Sequence, residues 1–399
     1  MVLKPAILGC KGLEKFSGRH PWLFRGDFDR LPLGAENGAL IPIAGERGGV
    51  LGWGLFSPGS SLCVRLLSWK AEQPDLEELF EKRIREAENR RRPFLEGSED
   101  AYRLVHGEAD GLPGLVVDRY GPVLVLQTLC AGMYRSLEIL VKILAAFPGV
   151  EALVLRNEAK YLANEGIPRE KRLIYGKLPG RIPFAVQMGE NRSLVDPFKG
   201  QKTGLYLDVR QAPRLIKSLC PGARVLDAFS YTGNFTLHAL RWGACDVLAL
   251  DQSAEALEIA KENLVLNGLP TSGKVTLEEC NVFDRLKELD DQKRLFDLLI
   301  MDPPPFAPSR KQLEGARRGY KELAVRSLKM TAPGGSLLFF SCSQAFGRET
   351  LLETLSAAAR DVKRECRITA EYHQPADHPV SLNFPESDYL KGFLLEVQP

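Results

Sequence analysis

The chain has 399 residues, of which 44% are hydrophobic and 26% charged, and its 53 basic and 51 acidic side chains leave a formal net charge of +2. That length exceeds one ordinary domain and implies two or three, while the near-neutral balance does not by itself announce a nucleic-acid partner. No apolar run reaches the roughly 18 residues needed to cross a bilayer, and the start Met1-Val2-Leu3-Lys4-Pro5 lacks the pattern of a secretory leader. The eight cysteines are scattered, with no C-x-x-C pair and no Cys/His spacing for a metal, which reads as free thiols in a reducing cytoplasm.

In chain order, residues 1–72 hold short β-rich runs at 39–43, 50–55 and 62–67 between turn residues, the spacing of a small β-barrel. Residues 76–92 predict a helix, charged on most faces, that ends at Pro93 and connects to a second segment, 73–196. There, strand-like runs at 115–118, 123–128, 152–156, 182–186 and 192–195 surround one helix over 134–147, whose apolar residues Leu137, Ile139, Leu140, Ile143 and Leu144 follow a helical period. This predicts a compact α+β domain. From 197 to 399 strands and helices alternate, which implies parallel pairing and right-handed crossovers. Strands are expected at 224–228, 247–251, 275–279, 297–301, 336–341, 368–372 and 393–397, with Ser253 capping the helix that stops at Asn267-Gly268. Seven strands with a terminal hairpin is the α/β layout of the class I methyltransferase sheet, a Rossmann-like fold.

The stretch from Val225 through Asp227, Phe229, Ser230, Tyr231, Thr232 and Gly233 to Thr236 is a strand, a small-residue loop and the start of a helix. Open α/β sheets use this unit to hold a nucleoside-bearing cofactor at their strand ends. The loop lacks the G-x-G-x-x-G fingerprint, so a diphosphate on the helix N-terminus fits poorly and a nicotinamide oxidoreductase is disfavoured. Two more strands end in Asp251 and Asp302. Acidic linings suit hydroxyls, amines and a positive sulfonium, and therefore S-adenosylmethionine. Asp251 falls roughly 24 residues after Asp227, where such sheets keep the carboxylate that bonds ribose hydroxyls. Asp284, in Cys280-Asn281-Val282-Phe283-Asp284, is placed to accept from an adenine amine. The plainer alternative makes Asp227 and Asp251 helix-capping acids and Asp284 a surface acid.

Two further motifs carry sharper chemistry. Asp302-Pro303-Pro304-Pro305-Phe306 follows an apolar strand, and its prolines stiffen a loop from which Asp302 can accept from an amino group of a planar base. Phe339-Phe340-Ser341-Cys342-Ser343 delivers a thiol to the same sheet edge, where core packing is the bland reading and nucleophilic attack the sharp one. No histidine is spaced to pair with Cys342 as a protease dyad would require; His238, His373 and His378 are weaker candidates. Basic runs at 199–224 and 309–329, the second including Arg310, Lys311, Arg317, Arg318, Lys321, Arg326 and Lys329, flank these motifs. They suggest a phosphate-backbone footprint, against the alternative of a solvated face.

Read together, these motifs resemble those of the bacterial PUA-domain-containing 23S ribosomal RNA cytosine-C5 methyltransferases. The likeness extends to Lys11-Gly12, Arg19-His20-Pro21-Trp22-Leu23-Phe24, the 102–114 segment, the 201–210 segment, Gly319-Tyr320-Lys321, Asp377-His378-Pro379 and Tyr389-Leu390-Lys391-Gly392, over nearly the whole chain. The resemblance implies an N-terminal PUA-like RNA-binding barrel, a central α+β domain and a methyltransferase domain. It implies Cys342 as nucleophile, with Asp302 facing the target base, and an S-adenosylmethionine site lined by Tyr206, Asp227, Phe229, Ser230, Thr232, Gly233, Asp251, Asn281, Asp284 and Asp302. Ribosomal RNA would meet Lys11, Arg19, Lys202, Arg210, Arg317, Arg318 and Lys321. One departure is Pro305, where the family usually has a basic residue. The rival expectations are a guanine N7 or N2 methyltransferase without a cysteine nucleophile and a non-catalytic RNA-binding relative. A monomer and a homodimer are both compatible with the sequence.

Overall fold

The computed structural model describes residues 4–95, 97–306 and 313–398. Its backbone contacts divide the chain into two compact units. One holds the chain up to Val186 with Val195–Leu207 and Ala376–Ser387; the other holds Gln187–Leu194, Asp208–Pro375 and the chain from Asp388 onward.

In the first unit a six-stranded sheet runs in the order Trp22–Leu23, Val64–Ser68, Val50–Phe56, Leu40–Ala44, Ala6–Leu8, Phe28–Arg30. Its inward residues Ala6, Leu8, Leu23, Ile41, Ile43, Phe56, Val64 and Leu66 make one buried cluster. A helix at Cys10–Ser17, which the sequence reading did not anticipate, packs so closely that a Cβ on Gly12 would lie 2.1 Å from the Asp27 carbonyl oxygen. A second, five-stranded sheet is ordered Glu170–Gly176, Ala152–Asn157, Val123–Thr128, Leu115–Tyr120, Ala101–His106. The helix expected near 76–92 spans Leu76–Arg91 and is capped by Asp75, which accepts from Glu78 N at 2.9 Å. The single helix expected over 134–147 is instead two, Ala131–Arg135 and Leu137–Ala145. The break falls at Ser136, whose hydroxyl donates back to the Gly132 carbonyl at 2.9 Å and competes with the backbone ladder.

The second unit contains a seven-stranded sheet. Its elements in chain order are β1 (Arg224–Ala228), α1 (Asn234–Arg241), β2 (Asp246–Asp251), α2 (Ala254–Leu266), β3 (Val275–Glu279), α3 (Val282–Asp291), β4 (Phe296–Met301), α4 (Leu313–Met330), β5 (Thr331–Ser341), α5 (Arg348–Asp361), β6 (Cys366–His373) and β7 (Lys391–Val397). The strand order is β3-β2-β1-β4-β5-β7-β6, parallel except for β7. The central strands read as unbroken apolar runs because helices cover both faces; Val225, Leu226, Leu298, Leu299, Ile300 and Met301 are all fully buried. β5 begins at Thr331, five residues before the expected start, with an irregular register opposite Phe296 to Leu298. Ser253 caps α2 by accepting from Ala256 N at 3.2 Å, and Gly268 follows the helix with φ of 65°. Strand order reverses between β1 and β4, so their carboxyl ends open a crevice of the kind that binds ligands in open α/β sheets.

Candidate active site

The loop after β1 is bent by three residues in the left-handed region: Phe229 at φ 65°, Tyr231 at 50° and Gly233 at 84°. Two of these are not glycine, and such conformations persist only where neighbours over-determine them. Asp251, at the end of β2, is one such neighbour: its Oδ2 accepts from Tyr231 N at 2.8 Å and its Oδ1 from Ser253 N at 2.9 Å. Ser230 N also donates to the Leu250 carbonyl at 2.9 Å. Asp227 is buried beneath the loop, and its Oδ2 accepts from Thr236 N at 3.0 Å and Thr236 Oγ1 at 2.7 Å. Burial pushes the Asp227 carboxyl up to about 6, against the pull of the Thr236 bonds, and the nearby Asp251 charge adds to the rise. Asn281 caps α3 by accepting from Phe283 N at 3.0 Å, and Asp284 lies exposed in that first turn.

Across the crevice, Asp302 is half-buried and followed by a buried Pro303 and exposed Pro304 and Pro305. Cys342, one residue past β5, is half-buried between buried Ser341 and Ser343, and its Sγ lies 4.0 Å from the Pro303 carbonyl oxygen. The sulfur therefore sits against the Asp302 turn and is not sealed in the core. Buried Tyr320 of α4 fastens both flanking serines: Ser341 Oγ donates to its hydroxyl at 3.0 Å, and Ser343 Oγ lies 3.2 Å from it. The Tyr320 ring meets Phe306 edge-on at 4.6 Å, which anchors the far end of the proline loop. Lys391, at the start of β7, pairs in register with Ser341 and is only 5% exposed.

The S-adenosylmethionine-dependent methyltransferase family matches residues 184–381, and a PUA-like domain matches residues 7–69. A ribosomal RNA large subunit methyltransferase I from Erwinia tasmaniensis is 37% identical over 98% of this chain and 99% of its own. The same-named protein of Serratia proteamaculans is 38% identical over 97% and 98%. The chain belongs to the ribosomal RNA large subunit methyltransferase I family. Two solved structures have the same fold at 20% identity over both full lengths. One, from Streptococcus mutans and described as a SAM-dependent methyltransferase, has a TM-score of 0.84; the other, a methyltransferase complexed with SAH, has 0.85. The enzyme is thus an S-adenosylmethionine-dependent methyltransferase with a PUA-like N-terminal domain.

The β1 loop suits that cofactor. Ser230 Oγ and Asn234 Oδ1 are buried without a hydrogen-bond partner among the described residues, which leaves polar atoms for an amino-acid end to satisfy. Exposed Phe283, packed at 5.5 Å on Phe229, offers an apolar edge beside Asp284 for a planar base. Thr232 is buried in the loop, and its carbonyl accepts from Asn263 Nδ2 at 3.0 Å. Tyr206, Lys202, Lys11 and Arg19 belong to the first unit. There the Tyr206 hydroxyl donates to Gln201 Oε1, and Lys202 Nζ stands 4.4 Å from the Tyr206 ring centre.

The basic residues divide. Lys11, Arg19, Lys202, Arg317 and Arg318 are exposed. Arg210 departs from the expectation: it is only 3% exposed, which withholds its guanidinium from a phosphate backbone. In the second run Arg317 pairs with Glu353 at 3.2 Å, Lys321 with Asp361 at 2.7 Å and Arg326 with Glu322 at 2.9 Å, so much of that charge is locally balanced. Arg310 and Lys311 lie outside the described residues. His238 is buried, with Nδ1 2.8 Å from the Asn234 carbonyl and burial lowering it to about 4, which fits a packed core residue. Three residues near the site had no role in the sequence reading: Phe283, Tyr320 and Lys391. Tyr320 and Lys391 stood inside motifs quoted for the resemblance, and Phe283 was an aromatic among polar residues at a strand end.

Proposed function

We propose that the protein methylates carbon 5 of a cytosine in 23S ribosomal RNA through a covalent bond between Cys342 Sγ and carbon 6 of the base. The observation that carries this reading is the place of Cys342, half-exposed at the rim of the sheet with its sulfur 4.0 Å from the Pro303 carbonyl in the Asp302 turn. The names of the full-length relatives, ribosomal RNA large subunit methyltransferases, support the RNA class.

Pyrimidine C5 is a poor nucleophile, so a thiol beside a base-binding acid has a definite use. The Cys342 thiolate adds to C6; the C5=C6 double bond opens and its electron pair becomes available at C5. S-adenosylmethionine, when bound, supplies an electrophilic methyl group to that carbon. A base then removes the C5 proton, the double bond re-forms and the thiolate leaves, which restores Cys342. Asp302 accepts from the N4 amine and holds the N3 edge, which keeps the ring polarised during addition. A free thiol of pKa about 8.5 is only a few per cent ionised at neutral pH, so the site must favour the anion. The target base must be unstacked and splayed into the crevice to be reached. Exposed Lys11, Arg19, Lys202, Arg317 and Arg318 are the candidate phosphate contacts. A ribosomal RNA substrate supports a cytoplasmic location.

Cys342→Ala is the decisive variant. Methyl transfer to 23S ribosomal RNA should be lost while S-adenosylmethionine still binds by calorimetry, and RNA carrying 5-fluorocytidine should trap a covalent complex with the unmodified enzyme. Guanine nitrogens need no adduct, so undiminished methylation by the alanine variant would overturn the cytosine-C5 reading in favour of a guanine acceptor.

A further inference from the structure

Lys391 is a charged residue placed where sheets ordinarily carry apolar ones. It opens β7 directly opposite Ser341 on β5 and opposite His373 on β6, one residue from the thiol-bearing position. The next pairs along β5 and β7 on the same face, Phe339 with Phe393 and Leu337 with Leu395, are core hydrophobics. A lysine at 5% exposure in that row is costly unless its charge has a purpose. Its Nζ donates to the Tyr389 carbonyl at 3.2 Å, which turns the amine back toward the strand tip. Gln374 Oε1 accepts from Tyr389 N at 3.2 Å and Leu390 N at 3.4 Å and so fixes that tip. Gly392, next in the strand, packs tightly on Phe340: a Cβ there would lie 2.6 Å from its ring.

We propose that Lys391 is a positioning residue whose ammonium group faces Cys342 and holds it as the thiolate. The inference rests on the cysteine being the nucleophile. The thiol proton passes to the lysine amine or to water, leaving a thiolate beside an ammonium; the pair breaks when sulfur bonds to C6 and re-forms when the thiolate is expelled.

Titratable groups surround the pair on several elements, among them Asp302 in the turn against which the Cys342 sulfur sits. Asp388 lies on the same segment, with Oδ1 buried and without a hydrogen-bond partner among the described residues. Tyr320 of α4 approaches from the helix layer through Ser341 and Ser343, and exposed His373 of β6 lies on the other flank, paired with Glu371 at 4.0 Å. Burial pulls the Lys391 amine below its usual range, whereas Asp388 and the Cys342 charge push it up.

The test follows the sulfur itself. In the full-length protein, alkylation of Cys342 by iodoacetamide is measured against pH by mass spectrometry of the tryptic peptide 330–348, which contains no other cysteine. Lys391→Met should raise the midpoint by about one pH unit or more, and Lys391→Arg should leave it near the original. The rate of methyl transfer by Lys391→Met should fall through kcat at neutral pH and recover as the pH is raised. A folded Lys391→Met protein with an unmoved midpoint overturns the proposal. If that variant does not fold, the reciprocal measurement decides: the Lys391 side-chain NMR titration must move down in Cys342→Ala, and an unchanged titration is equally fatal. The two readings fail separately. A midpoint shift in Lys391→Met together with persisting methylation by Cys342→Ala keeps the ion pair and removes the cytosine-C5 reading. No shift, with methylation lost in Cys342→Ala, does the reverse.

Discussion

Asp227→Asn isolates what a buried acid costs this fold. Asp227 is 1% exposed, with one carboxylate oxygen bound to both donors of Thr236, and its carboxyl is raised from 3.8 to about 6. The native fold therefore prefers the protonated side chain. The stability this proton contributes is fully present below the ordinary carboxylate pKa and is lost as the pH rises through 6. A shift of about two pKa units corresponds to on the order of 3 kcal/mol across the whole range, of which about 2 kcal/mol falls between about pH 4.5 and 7.5. Asparagine keeps a carbonyl oxygen for Thr236 and does not ionise. Urea denaturation of both proteins at the two pH values should show the variant gaining about 2 kcal/mol on the parent as the pH rises. A stability difference that stays flat, or one that shrinks toward neutral pH, would refute the argument that burial dominates over the Thr236 bonds.

Tyr320→Phe removes the hydroxyl that fastens Ser341 and Ser343 on either side of Cys342. Stability should fall by about 1–3 kcal/mol in denaturant melts because two buried serine hydroxyls lose a partner, and kcat should fall with little change in cofactor affinity by calorimetry. Asp110→Ala breaks the buried ion pair with Arg91, whose Nη1 lies 2.9 Å from Asp110 Oδ1, and strips the His106 amide of its acceptor. The first unit should lose about 3–5 kcal/mol, visible as a lowered urea midpoint. Charge reversal at exposed Arg317 and Arg318 should weaken RNA binding across sequences and flatten its salt dependence in filter-binding titrations.

The methyltransferase sheet was largely legible because its central strands are apolar runs bounded by turn residues, and the Ser253 cap and Gly268 stop are local signals that tertiary packing did not override. The first unit was harder to read. Trp22–Leu23 and Phe28–Arg30 are too short for alternation to register, and Cys10–Ser17 is an eight-residue helix with a glycine forced by the Asp27 carbonyl. The acids at the strand ends were found by position, but what each carboxylate bonds depends on loop geometry: Asp227 faces down to Thr236, whereas Asp251 faces the Tyr231 amide. The local partners of the basic runs were hidden for a different reason. Arg317 and Lys321 are balanced by Glu353 and Asp361, partners tens of residues away that no local pattern reveals.

The proline loop shows how such distant pieces are made to act together. Prolines fix the loop's own dihedrals but give it no donors with which to tie itself to the sheet. Its position is set at the far end, where Phe306 lies between Phe283 at 5.8 Å and Tyr320 at 4.6 Å. Phe283 in turn meets Phe229 at 5.5 Å, and Tyr320 meets Phe346 at 4.7 Å. Each such ring pair contributes about 0.5–1.5 kcal/mol beyond its burial, so the row is worth more than any single hydrogen bond in the loop. It runs from the left-handed turn after β1 to the helix whose tyrosine flanks the thiol. Pro305 adds its stiffness at the exposed part of the loop and leaves positioning to the aromatic row. A stiff link between the β1 loop and the segment that carries Cys342 would serve the proposed reaction, in which the carbon that accepts the methyl group and the carbon that bonds sulfur are one bond apart.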